Sequence, residues 1–394
     1  MKPVRRLALV AALLGLAAVA QPAGAAWSAT PQERTGPVAN AQAPNAVPGS
    51  YLVVLADGRT ADDHTLPERY GARVLDSYHN ALTGYHVEAT PTQARLLAGD
   101  PAVARVEQNT AVGTADLTQP APPSCGLDRI DQPDLPLDGS YSYPDSAGEG
   151  VTVYLVDTGI HYGHQDFGGR AGPGYDATGG DGSDDNGHGT HLAGTVGGTE
   201  HGVAKRATLV SVKVLDAGGA GTIAGVVGGI DWLTADADGP AVASLGIGGA
   251  ASTVLDDAVR QSIAAGVSYS VVAGNSGVDA GGISPARVTE AVTTAAATCA
   301  DQALPSTNHG PAVDLFAPGA DIVSTWHTSD TATATLTSGS TAAAHVAGVA
   351  ALHLADHPTA TPAEVWAAID AAAVLDRLTG VPPNTPNKLL QVVD

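Results

Sequence analysis

VTVYLVDTGI, Val151 to Ile160, sets six residues with only one polar side chain in a row and closes them with Asp-Thr-Gly. A strand without polar alternation is buried on both faces, as in a parallel sheet covered by helices. Runs of the same kind follow at Leu209–Leu215, Val242–Ile247, Val267–Ala273 and Val313–Phe316. Helical stretches lie between them at Gly189–Val196, Ile223–Ala235 and Val254–Ala265, with a further apolar helix at His345–Leu354. Strand and helix in alternation predict right-handed crossovers and a mostly parallel α/β sheet.

Ligand sites in such sheets gather at the carboxyl ends of the strands. Asp157 stands at one of those ends, where a buried acid could orient a base. A turn Asp before Thr-Gly is the plain alternative. Aspartic proteases also use Asp-Thr-Gly, but they need two such loops and no second one occurs here. Asn186-Gly-His-Gly-Thr-His191 opens the next helix. Two histidines three apart could hold a metal, though no third ligand follows at the usual spacing. A histidine between glycines at a helix start reads better as a base, with backbone close on either side. His188 is that candidate, and His191 is read as structural.

Asn275 ends the strand Val267–Ala273, where a carboxamide could donate to an oxyanion or simply form a turn. Ser340 lies in Thr337-Ser-Gly-Ser-Thr-Ala-Ala-Ala-His345, just before the helical run. Read alone, it is equally a helix cap or a nucleophile facing the positive end of a helix. The order Asp157, His188, Ser340 is one of the known chain orders of an Asp-His-Ser triad. No Gly-x-Ser-x-Gly elbow surrounds Ser340.

Composition narrows the class. Hydrophobic residues make up 44% of 394, enough for a large core, whereas aromatics are only 4%. Abundant Ala and Gly suggest close backbone packing. Eighteen Lys and Arg against 40 Asp and Glu give a net charge of −22, which argues against nucleic acid or an anionic membrane as partner. Lys2, Arg5 and Arg6 precede the apolar run Leu7–Ala20, and Ala23-Gly-Ala25 offers a cleavage site. Residues 1–25 therefore read as a signal peptide of a secreted, extracellular protein. Residues 26–48 read as a spacer rich in Ala, Pro, Gln and Asn.

From Tyr51 to Val106 the elements run β-α-β-β-α-β, a small two-layer α+β, ferredoxin-like domain. Asn109–Ser124 reads as a linker, Thr361–Ala372 as a last helix and Lys388–Val393 as a closing strand. Export would permit Cys125 and Cys299 to pair, but sequence does not decide whether they meet.

Taken together, VDTGI (156–160), NGHGTHLAGTVGG (186–198), GVAKRATLVSVKVL (202–215), VAGNS (272–276), ISPA (283–286), DLFAPG (314–319) and AHVAG (344–348) resemble the subtilisin-like serine proteases. The likeness is to their proteinase K-like secreted branch. PERYGARV and DPAVARVEQN resemble that family's inhibitory propeptide. The resemblance implies a three-layer α/β peptidase domain over 115–394, preceded by a propeptide domain over 49–114. It implies a zymogen whose propeptide is an intramolecular inhibitor, acting on protein or peptide substrates as a monomer.

By the same resemblance Asp157, His188 and Ser340 form the triad, and Asn275 with the Ser340 N–H binds the oxyanion. Substrate would lie as an added strand beside Gly221, between 218–223 and 245–249. Gly246, Ile247, Gly248, Ala273 and Gly274 would wall the first specificity pocket, giving a broad apolar preference. A structural Ca²⁺ on Asp314 and the carbonyls of Glu290 and Val292 is implied, and no organic cofactor.

Departures from the family's pattern surround the nucleophile. In ungapped register the usual Gly-Thr before the serine is Ser338-Gly339, and the usual Pro is Ala344. Ser-Leu-Gly-Gly becomes Gly246-Ile-Gly-Gly249, and Ser-Phe-Ser-Asn-Tyr-Gly becomes Pro305-Ser-Thr-Asn-His-Gly310. These changes leave a rival expectation, a catalytically impaired relative that binds peptides or stays latent. An esterase using the same triad is a further one.

Overall fold

The two-sided burial expected of VTVYLV follows from which side chains point to which face. Val153 and Leu155 enter one apolar cluster, while Tyr154 and Val156 enter another on the opposite side. The computed structural model describes residues 34–41, 43, 46–62, 64–110 and 116–393. The expected signal peptide, the first part of the spacer and the junction near Ala115 lie outside the described residues. The chain forms two units, one ending at Gly113 and one beginning at Thr114.

The first unit contains β1 (Val38–Ala39), β2 (Ala46–Leu55), α1 (Thr65–Arg69), β3 (Arg73–Tyr78), β4 (Gly84–Glu88), α2 (Pro91–Ala98) and β5 (Val103–Thr110). Its sheet runs β1-β5-β2-β4-β3. Tyr51, Val53 and Leu55 of β2 alternate inward and meet Val87, Ala94 and Leu97. Thr90 and Gln93 form a capping box that starts α2, with Pro91 in its first turn. The spacer expectation for 26–48 is corrected here. Val38 pairs in parallel with Val106, and β2 already begins at Ala46. Backbone pairing to β5 recruits a stretch whose composition alone reads as loop.

The second unit contains, in order, β6 (Leu117–Pro120), α3 (Cys125–Ile130), β7 (Ser140–Tyr143), β8 (Thr152–Asp157), β9 (Ala171–Asp176), α4 (His188–Gly197), β10 (Thr208–Lys213), α5 (Ile223–Asp236), β11 (Ala241–Leu245), β12 (Gly249–Ala250), α6 (Thr253–Ala264) and β13 (Ser268–Val272). There follow β14 (Ile283–Ser284), β15 (Val292–Ala297), β16 (Leu315–Pro318), β17 (Ile322–Thr325), β18 (Thr333–Leu336), α7 (Gly339–Asp356), α8 (Pro362–Ala372), β19 (Val374–Leu375) and β20 (Lys388–Leu389).

Nine strands form one sheet in the order β19-β20-β16-β15-β13-β11-β8-β10-β9. The neighbours of β8, namely β10 and β11, run parallel to it. Helices α4, α7 and α8 pack on one face, and α5 and α6 on the other, so the unit has three layers. The closing strand is shorter than Lys388–Val393, because only Lys388 and Leu389 pair. The latter part of the expected linker is also structured, since β6 pairs with β7.

Helix α7 runs through the interior. Every residue from Gly339 to Leu352 is buried, and these are mainly Ala, Gly and Val. Small side chains are required by proximity: a Cβ on Gly348 would lie 2.5 Å from Val203 Cβ. Close approach of α7 to the sheet replaces the aromatic core that this composition lacks.

Cys125 and Cys299 are joined, with Cα atoms 6.1 Å apart and 174 residues of separation. A loop of that length makes the bond's constraint on the unfolded chain large, about 5 kcal/mol in the chain-entropy model. Replacing both cysteines with serine should lower the denaturant midpoint, by an amount equivalent to about 2–5 kcal/mol. The measurement is equilibrium unfolding of the purified protein with and without the two substitutions; an unchanged midpoint would count against this role.

Candidate active site

Asp157 is the last residue of β8 and fully buried. Its Oδ1 accepts from the Thr158 N–H at 2.8 Å and faces His188 Nδ1 at 2.7 Å. His188 is the first residue of α4, following Gly187 at φ 110°, a backbone state that favours glycine. Contact between β8 and α4 depends on one further glycine, Gly189. A Cβ on Gly189 would sit 2.2 Å from the Gly159 carbonyl oxygen.

A second acid holds this corner together. The Thr158 hydroxyl accepts from Gly189 N at 2.9 Å and donates to Asp184 Oδ1 at 2.9 Å. Asp184 also accepts from the N–H groups of Asn186, Gly187 and Thr190, and from the Thr190 hydroxyl. It therefore satisfies donors at the start of α4 that would otherwise lack partners. Burial alone would raise the Asp184 carboxyl. The Thr190 hydroxyl and the surrounding N–H groups outweigh it and hold it below the ordinary carboxylate range. Sequence reasoning missed Asp184, although an acid four residues ahead of a helix-opening His was a usable signal.

Burial also acts on the histidine. It pulls the His188 imidazole down, but the Asp157 carboxylate, aided by Asp184, outweighs this and raises His188 above its ordinary value. His191, one turn on, gives Nε2 to the Ile322 carbonyl at 3.0 Å, and burial lowers it to about 4. It is a neutral core histidine. His345 likewise falls to about 4 through burial, with Nδ1 2.8 Å from the Thr341 carbonyl.

Ser340 stands in the first turn of α7 and is almost fully buried, with 3% exposure. Its Oγ donates to the Gly246 carbonyl at 2.9 Å. Gly246 borders the Asp-His pair: a Cβ there would lie 3.0 Å from Asp157 Oδ2 and 3.3 Å from His188 Cε1. Thus β8, α4, the end of β11 and the start of α7 converge on one point. In this resting arrangement the Ser340 proton is directed to Gly246 rather than to His188.

Asn275 closes the far side. Its Oδ1 accepts the Gly339 N–H at 2.7 Å, and its Nδ2 donates to the Ser338 hydroxyl at 3.2 Å. The loop carrying it is clamped by Asn308, whose Nδ2 donates to the Ala273 carbonyl and whose Oδ1 accepts from Ser276 and Val278. A Cβ on Gly274 would meet Asn308 Nδ2 at 2.3 Å, so this turn requires glycine.

A cleft of about 530 Å³ opens beside His188. Gly221, Gly246, Ile247 and Gly248 line it, together with the apolar side chains of Leu215, Val226 and Leu255. Ala273 and Gly274 lie at the end of β13 and are not among its lining residues. Asp314 lies elsewhere, beside β15. It is half-buried, and its Oδ2 accepts the Thr293 N–H at 2.7 Å. Burial pushes it up to about 6, and the nearby Lys388 pairs with Asp370 instead. The Glu290 carboxylate is 3.4 Å from Arg260 Nε, which leaves its carbonyl as its route to a shared site. Among the described residues, no three His, Cys, Asp or Glu side chains cluster to hold a metal.

Comparison with known proteins gives a consistent result. Residues 148–389 match the subtilase family, and residues 44–115 match peptidase inhibitor I9. The chain is 43% identical to an extracellular serine proteinase of Thermus sp. (strain Rt41A), over 96% of this chain and 97% of that one. It is 41% identical to the subtilisin-like serine protease Pen c 1 of Penicillium citrinum, covering 78% and 82% of the two chains. The solved structure of a cold-adapted subtilisin-like serine proteinase superposes with a TM-score of 0.66 at 45% identity, over 68% of this chain and 98% of that one.

If Asp184 holds the corner, Asp184→Ala should leave several buried donors unpaired. Each such donor costs about 1–3 kcal/mol, and the resulting misplacement of His188 should lower kcat/KM on a peptide by about 10²-fold. Steady-state kinetics and unfolding on the purified variant check this; a variant within twofold of the parent contradicts it.

Proposed function

Because the chain belongs to the subtilase family of serine proteases, we propose that Asp157, His188 and Ser340 are its catalytic triad and that Asn275 completes an oxyanion hole. The observation that carries this reading is the 2.7 Å bond from His188 to buried Asp157, in a corner that also receives Ser340 through Gly246. His188 Nε2 takes the Ser340 proton as Oγ attacks the scissile carbonyl carbon. Charge develops on the carbonyl oxygen, where Asn275 Nδ2 and the Ser340 N–H donate to it. His188 then returns the proton to the departing amine as the C–N bond breaks, leaving an acyl-enzyme. Water attacks the ester with His188 again as base, freeing the carboxylate product and restoring Ser340. Asp157 holds the imidazole tautomer and stabilises the imidazolium.

The cleft would receive an extended substrate as an added strand. Its lining by Leu215, Val226, Ile247 and Leu255 supports a broad preference for apolar side chains. The unit that matches inhibitor I9 would act as an intramolecular inhibitor of a zymogen until removed. The apolar N-terminal run and the extracellular relative support secretion.

Ser340→Ala should abolish both proteolysis and labelling by a fluorophosphonate. Asp157→Asn should lower kcat by about 10⁴-fold while leaving the fold intact. Unchanged cleavage of a protein substrate by Ser340→Ala would contradict the assignment.

Asp314 is a half-buried carboxylate with no ion pair among the described residues, and an all-oxygen donor set suits Ca²⁺. We assign a structural Ca²⁺ to Asp314 with the carbonyls of Glu290 and Val292; its contribution would be to neutralise that carboxylate. Calcium at 100 times its Kd should stabilise the protein by about 2.7 kcal/mol, and Asp314→Asn should remove this gain. Thermal unfolding with and without chelator measures it, and a calcium effect undiminished in Asp314→Asn contradicts the site.

A further inference from the structure

The residue two before Ser340 carries a hydroxyl where the resembled family has glycine in ungapped register. Ser338 is the N-cap of α7, in extended backbone at φ −161° and ψ 152°. Its Oγ accepts the Ser340 N–H at 3.1 Å and the Asn275 Nδ2–H at 3.2 Å. These are the two donors assigned above to the oxyanion. The same Ser338 hydroxyl donates to Ser340 Oγ at 3.2 Å, and the Ser340 hydroxyl donates in turn to the Gly246 carbonyl. One hydroxyl thus satisfies both oxyanion donors and turns the nucleophile's proton away from His188.

We propose that Ser338 is a built-in stand-in for the oxyanion, whose hydroxyl occupies the oxyanion donors at rest and in the substrate complex and must rotate out as the substrate's carbonyl oxygen takes on charge. The inference rests on the triad and oxyanion reading given above. Oxyanion donors contribute through the place where charge develops in the transition state. A hydroxyl bound there stabilises the resting enzyme and the substrate complex but not the transition state. Its displacement therefore slows the chemical step and leaves substrate binding alone. The backbone does not resist removal of the side chain, since glycine is tolerated at an N-cap with little loss of helix stability.

Ser338→Gly should raise kcat on a peptide substrate by about 2- to 30-fold, the range equivalent to the bond of one N-cap hydroxyl. KM should stay near the parent value. Inhibition by a peptide aldehyde, whose adduct with Ser340 places an oxyanion in the hole, should tighten by the same factor. Ser338→Ala should move both quantities in the same direction, whereas Ser338→Thr, which keeps the hydroxyl, should remain near the parent. An unchanged or lower kcat in Ser338→Gly overturns the proposal, as does a gain in kcat without tighter aldehyde binding. Fluorophosphonate labelling of the parent and of Ser340→Ala, run alongside, separates the two levels. Loss of the Ser340 dependence refutes the triad reading, whereas its retention with no Ser338 effect refutes the stand-in alone.

Discussion

The contact between Gly159 and Gly189 is the constraint on which the site depends. A side chain at Gly189 would strike the Gly159 backbone and separate the end of β8 from the start of α4, and one at Gly159 would strike Gly182 and Ser183. Asp157 and His188 are each fixed by their own element, so their 2.7 Å bond exists only while those backbones touch. Thr158 and Asp184 then lock the contact with hydrogen bonds that also satisfy the helix's free N–H groups. The Asp-Thr-Gly and Gly-His-Gly sequences are thus two halves of one joint. The buried acid in it raises the histidine's proton affinity, as a general base near neutral pH requires.

The same economy of size governs the proposed nucleophile, Ser340. A helix packs this closely beside a nine-stranded sheet when most of its side chains are small, and the buried part of α7 is mainly Ala, Gly and Val. Its buried first turn carries Ser340 toward Gly246, where a side chain would collide with Leu192 and crowd the Asp-His pair. The low aromatic content noted in the sequence is therefore tied to the way the site is delivered. Ser338 adds a local adjustment to that frame without altering it.

Much of this was legible in the sequence because the signals were strong and local. Non-alternating apolar runs named the central strands β8, β10, β11 and β13, and their carboxyl ends named Asp157 and Asn275. Elements without such runs escaped. β9 is an edge strand containing Pro173 and two glycines, and β15 is largely Thr and Ala, so neither presents a clear apolar pattern. β1 exists through pairing to β5, which composition does not encode. The Cys125–Cys299 bond joins distant segments, and only the fold brings them together. Asp184 and Asn308 act by accepting from backbone N–H groups, so their roles depend on loop geometry. Ser338 was visible as a departure, but the bonds it makes were not.

The buried Asp157 carboxylate makes His188 a stronger base than it would be free in water. The most direct test is a pH titration of the His188 ring by nitrogen and proton NMR, in the Ser340→Ala protein labelled at histidine. The expected result is a pKa above 6.5, the ordinary histidine value, with a far-downfield Nδ1 proton that moves upfield and a pKa that falls when Asp157 is changed to Asn. A His188 that titrates at or below 6.5 and is indifferent to Asp157→Asn would contradict it.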